Sequence, residues 1–146
     1  MQSRTWILAA VLVLQAFDSH ACELWTSSLT FGEVVPIPAR SPEAIVGIDV
    51  LCPPGVPYEI RLGTGTTITG PDRAMTGATA ESLLAYGLEL DGLGSLSQAR
   101  RAQSLQSVRG IGSGVVQHHV LRGTIRAGQR LESGSFKDHV VVTLDW

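Results

Sequence analysis

Asparagine is missing from this 146-residue sequence, lysine occurs once, at Lys137, and aromatic residues make up only 5%. Without asparagine there is no N-glycosylation sequon. Charged residues are scarce at 16% against 44% hydrophobic, a balance too apolar for a long disordered chain. Neither sign of charge dominates, the formal net charge being −2. That leaves no electrostatic reason to expect nucleic acid or an anionic membrane surface as partner. Cysteine is down to two residues, and no apolar run of membrane length lies beyond the N-terminus. Glycine, by contrast, is plentiful at 16 residues. Much glycine with few aromatics suits a turn-rich β fold better than a helical bundle. The length allows one domain.

The N-terminus reads as an address. Arg4 gives a short positive region, and Trp6 to Leu14 form an uncharged apolar run that continues through Phe17 to Asp18. This is shorter than the roughly 20 residues that span a bilayer. Ser19-His20-Ala21 then places small residues at the positions required for cleavage before Cys22. Residues 1–21 are therefore expected to be a secretory signal peptide, and residues 22–146 the mature domain. A cysteine at the first mature position also invites lipidation, but Ser19 and His20 fit a lipobox badly. The remaining 125 residues are enough to bury a core unaided.

Cys22 and Cys52 both fall in the exported part. An even count in an oxidising compartment reads as one disulfide, worth about 3.5–4 kcal/mol on a chain-entropy estimate. Two free thiols are the alternative. Metal binding is weaker still, since no further cysteine or well-spaced histidine accompanies them.

The mature chain reads as short strands. A β-like stretch is expected over residues 28–32. Along residues 45–52, Val46, Ile48, Val50 and Cys52 share one face. After the Pro53-Pro54-Gly55 turn, Tyr58, Ile60 and Leu62 alternate with Glu59 and Arg61. Leu84, Tyr86, Leu88 and Leu90 alternate likewise. Residues 91–114 are rich in Gly, Ser and Gln and read as a long loop, or as one holding a short helix over residues 98–108. A strand is expected over residues 115–125, then a hairpin-like stretch between Gly128 and Gly134. The last strand covers residues 140–146, with Val140, Val142, Leu144 and Trp146 on one face. At least five strands with frequent turns imply an antiparallel sandwich or barrel.

Catalytic constellations are absent, and no enzymatic activity is expected. There is no Gly-x-Ser-x-Gly elbow. Gly63-Thr64-Gly65 and Gly110-Ile111-Gly112-Ser113-Gly114 suggest phosphate loops only superficially, since no Lys-Ser/Thr follows and no βαβ context surrounds them. His118 and His119 are adjacent on a strand, so they point to opposite faces and do not chelate one ion together. Asp72, Glu89 or Asp91 could pair with Arg73. Arg100 and Arg101 lack the interleaved aromatics of a nucleic-acid surface. No metal, no small-molecule cofactor and no nucleic acid are expected.

Several segments, in order, resemble the spore coat protein U domain, the subunit family of archaic chaperone–usher pili. They begin with Cys22 and Leu29-Thr30-Phe31-Gly32, then Val50-Leu51-Cys52 leading to Tyr58-Glu59-Ile60-Arg61-Leu62-Gly63. Arg73-Ala74-Met75 precedes Leu84-Ala85-Tyr86-Gly87-Leu88 and Asp91. The tail is the most specific piece: Ala127-Gly128-Gln129, then Gly134-Ser135-Phe136-Lys137-Asp138-His139-Val140-Val141-Val142-Thr143-Leu144. Two departures stand out. Residues 92–107 carry no Trp-Gly-Asp type segment, and Arg122-Gly123-Thr124-Ile125-Arg126 replaces the usual Tyr-Gly-Arg-Ile-Pro.

The resemblance implies an immunoglobulin-like antiparallel β-sandwich lacking one strand. The missing strand would come first from a periplasmic chaperone and then, through an outer-membrane usher, from another pilus subunit. Such a chain is exported through the inner membrane to the periplasm and then the cell surface, where it serves adhesion and biofilm. The alternative is a stand-alone secreted coat or surface-binding domain that does not polymerise. Val140, Val142, Leu144 and Trp146 are the candidates for the edge of the strand-accepting groove. Cleavage after Ala21 would leave no donor segment before Cys22, so the chain is expected to accept a strand and not to give one.

Overall fold

The computed structural model describes residues 21–33, 41–69, 72–79, 81–91, 106–130 and 133–146. They form β1 (Glu23–Thr26), β2 (Glu43–Leu51), β3 (Pro57–Leu62), β4 (Thr67–Thr69), β5 (Asp72–Thr76), β6 (Leu83–Leu90), β7 (Gln106–Ile111), β8 (Gln117–Ile125) and β9 (Val142–Asp145). All pairings are antiparallel. One sheet has six strands in the order β1-β2-β8-β6-β5-β4, the other three in the order β7-β3-β9. No helix among the described residues is long and apolar enough to cross a membrane.

Alternation along each strand selects its inner face. On β2, Val46, Ile48 and Val50 are buried while Gly47 is exposed; on β3, Tyr58, Ile60 and Leu62 are buried; on β6, Leu84, Tyr86, Leu88 and Leu90 are. Each fully buried Val, Leu or Ile contributes roughly 1.5–3 kcal/mol. The outer face of the smaller sheet is charged instead. Arg61 contacts Glu59 at 2.8 Å and Asp145 at 3.4 Å, and Arg109 lies 3.4 Å from Glu59.

The corner where the chain passes from the larger sheet to the smaller one is held by a disulfide and by backbone hydrogen bonds. The Cys22–Cys52 disulfide lies one residue beyond the first pair of the β1–β2 ladder, Glu23↔Leu51. The following turn bonds to the β7–β8 connection: Gly55 N–H donates to the Gly112 carbonyl (2.9 Å), Gly112 N–H to that of Val56 (2.7 Å) and Gly114 N–H to that of Cys52 (3.0 Å). Gly112 must be glycine, because a Cβ there would meet the Pro53 carbonyl and lie 2.7 Å from Cys52 Cβ.

Two glutamines do the work of absent strand partners. Gln106 of β7 reaches across the core: its Nε2 donates to the Leu88 carbonyl at 2.6 Å, and its Oε1 accepts from Leu90 N–H at 3.0 Å. Beyond the end of β8, Gly128 turns with φ +75°. Gln129 then folds back, its amide bonding both backbone groups of Ala85 at 2.7 and 2.8 Å.

Three expectations differ from the structure. Residues 28–32 are not a strand; β1 precedes them, and Leu29 and Phe31 instead pack over Gly123, where a Cβ would come within 2.5 and 2.6 Å of their side chains. Residues 106–108 belong to β7 rather than a helix, and the rest of that expected helix lies outside the described residues. The β4–β5 hairpin has no counterpart among the strands read from alternation.

Candidate functional site

β9 is the edge of the three-stranded sheet, hydrogen-bonded to β3 on one side through Glu59↔Asp145 to Leu62↔Val142. At the start of β9 lies a groove of about 1130 Å³, with Val142 in its lining. Residues 26–33 form one wall and residues 133–140 the other, with Val142 continuing it. The floor is the inner face of both sheets: Val46, Leu62, Met75, Leu84, Tyr86, Leu88, Leu121 and Ile125. These floor residues belong to the buried core, so the groove lies directly over the interior of the sandwich.

The wall of residues 133–140 is fixed at both ends by backbone. Thr76 and Lys137 exchange N–H···O bonds of 2.8 and 3.0 Å, anchoring it to β5, and Gly63 N–H donates to the Val141 carbonyl at 2.8 Å, anchoring it to β3. Asp138 is the polar hub between these points. Its carboxylate accepts from the Tyr86 hydroxyl and from the backbone N–H of Thr66 (2.9 Å) and of His139 (2.8 Å). Burial, together with the hydrogen bond to Asp138, pushes the Tyr86 phenol well above its ordinary range. Phe31 of the opposite wall meets the Tyr86 ring edge-on, centroids 6.4 Å apart.

The proposed edge residues divide into two groups. Val140 and Val142 line the groove. Leu144 packs against the core without lining it. Trp146 lies one residue past the last β3–β9 pair and stays 60% exposed. Arg73 is not the partner of a surface carboxylate. It is 1% exposed, and Nε, Nη1 and Nη2 have no hydrogen-bond partner among the described residues. Burial pulls its pKa down, and the nearby Tyr86 hydroxyl and Asp138 carboxylate work against that pull. Asp91 is engaged elsewhere. It accepts from Val120 N–H at 2.7 Å and from His119 Nδ1, leaving His119 Nε2 to accept from the Tyr58 hydroxyl at 2.9 Å. His118 turns outward to Asp49 at 2.7 Å. Among the described residues no three His, Cys, Asp or Glu side chains converge as metal ligands would.

Leu29, Phe31 and Phe136 were not foreseen as groove walls. Their only signal in the sequence is their place in the segments resembling the family's Phe-Gly and Gly-x-aromatic-x-Asp pieces.

No curated protein matches the chain. A solved structure, the CsuC–CsuE chaperone–tip adhesion subunit pre-assembly complex from the archaic chaperone-usher Csu pili of Acinetobacter baumannii, is similar at a TM-score of 0.61 and 20% identity. The similarity covers 86% of this chain and 39% of that one; at this identity it speaks to the fold. The family model of the Spore Coat Protein U domain matches residues 8–143. With that match spanning nearly the whole sequence, the chain belongs to the Spore Coat Protein U domain family.

Proposed function

We propose that this chain is a structural or adhesive subunit of a chaperone–usher type pilus, completed by a strand from another polypeptide. The observation that carries the reading is the edge of β9, unpaired among the described residues, next to a groove floored by apolar core residues, in a chain of this family. An incoming extended segment would pair its backbone with β9 and drop alternate side chains between the two walls. The donors are a periplasmic chaperone first and a neighbouring subunit later, with an outer-membrane usher between them. The work is mechanical rather than catalytic. Export would use residues 1–21 as a signal peptide, taking the chain to the periplasm and then the cell surface.

Co-expression with the chaperone of the same pilus system tests this. A stable one-to-one complex is expected, and Val142→Asp should abolish it, because a carboxylate placed in the groove wall must be desolvated against apolar partners. A soluble monomer that binds no chaperone would overturn the reading and favour a stand-alone coat domain.

A further inference from the structure

Arg73 is the one charged side chain among the described residues that is buried with every nitrogen of its guanidinium unpartnered. Such a group cannot shed its proton, and a buried charge left unpaired is strongly destabilising. It stands beside the groove. Arg73 shares the inner face of β5 with Met75 and lies directly across from Tyr86 of β6, and both of those residues line the opening. Asp138 is close enough for its charge to act on the guanidinium, but its oxygens are turned to Tyr86, Thr66 and His139 and make no hydrogen bond to it. The attraction is there without the hydrogen bonds.

We infer that the strand completing this groove carries an oxygen-acceptor side chain, a carboxylate or a side-chain amide, at the inward position that meets Arg73. The inference rests on the complementation reading above and specifies the chemistry of the partner. A side chain, not the partner's backbone, is required. A strand joining the three-stranded sheet beside β9 lies in the opposite layer from β5, and facing sheets pack roughly 10 Å apart. Only a group projecting inward spans that gap. A planar carboxylate or amide also fits the guanidinium fork. The rest of the floor, with Val46, Leu88 and Leu121, demands aliphatic side chains. Arg73 therefore sets one polar position in an otherwise apolar series and makes it a determinant of which strand is accepted.

The test appends to the full chain, through a flexible Gly-Ser linker after Trp146, an extended strand of alternating Val and Thr. Each inward Val in turn is replaced by Glu, Gln or Leu, and stability is read by chemical denaturation. At one position the Glu and Gln versions should exceed the Leu version by about 10-fold or more in folding equilibrium constant, the effect of hydrogen bonds to a charged group. Arg73→Met should erase or invert that preference. The proposal is overturned if Leu is at least as good as Glu and Gln at every position, or if the preference persists unchanged in Arg73→Met. If no appended strand stabilises the chain, the all-Val version included, the complementation reading falls and takes this inference with it. A stabilising all-Val strand with no polar preference would sink this inference alone.

Discussion

Asp138 shows how much one side chain holds. It joins the β6 tyrosine to the start of the chain that leads into β9, and its charge acts on Arg73. Asp138→Ala leaves two backbone N–H groups and a buried phenol without their acceptor, and should cost about 2–4 kcal/mol in chemical denaturation. Tyr86→Phe, which removes only the hydroxyl, should cost less. Glu59 offers a different test, on the outer face. Its hydrogen bond to Arg61, then that to Ser107, with the charges of Arg109 and Arg61 adding to them, lowers its pKa to about 2. A carboxylate depressed by folding stabilises fully above its unfolded value, about 4.3, and loses that contribution as the pH falls toward 2. The contribution is modest, because Arg61 is half exposed and solvent screens the pair. Glu59→Gln should flatten the pH dependence of stability in that window and leave neutral-pH stability little changed.

At the scale of elements, the strands with regular apolar alternation were legible, and β7, whose inner face is mixed, was not. β2, β3 and β6 announce themselves through Val46, Ile48 and Val50, through Tyr58, Ile60 and Leu62, and through Leu84 to Leu90. β7 does not, since its alternate positions hold Gln106, Val108 and Gly110. Gln106 faces inward to serve the backbone of β6, and Gly110 leaves room for the Tyr58 ring, which a Cβ would strike. Both are long-range demands that no local periodicity carries. Leu29 and Phe31 mislead in the opposite sense. They alternate as a strand would, but they do so to fill the space above Gly123. Gly123→Val should push them out of the groove wall, at a cost of about 1–3 kcal/mol for overpacking. Loss of the edge-on contact between Phe31 and Tyr86 should then appear in the near-ultraviolet circular dichroism. Val140 and Val142, read from alternation, line the groove. Trp146 lies past the last β3 partner, an end that alternation does not mark.

For the whole molecule, one covalent bond and one open groove set opposite tendencies. The Cys22–Cys52 disulfide closes a long loop through β1 and β2, and Cys52→Ser should cost about 2–5 kcal/mol, measured as a lowered denaturation midpoint of the chaperone-bound chain. Leu29, Phe31, Val140 and Val142, only partly buried along the groove walls, leave apolar surface at its mouth, so expression without a strand donor should yield aggregate. Addition of the chaperone should restore soluble protein.

The antiparallel pairing of β9 also bears on load. Bonds between antiparallel strands run perpendicular to the strand axis. A segment seated along β9 and pulled lengthwise therefore strains all its ladder bonds together, in shear, rather than opening them singly as a zipper does. On the far side of the groove, β1 is fastened to the end of β2 by a bond between sulfurs. Tension reaching that wall can peel β1 only as far as Cys22, where the covalent bond still holds it to β2.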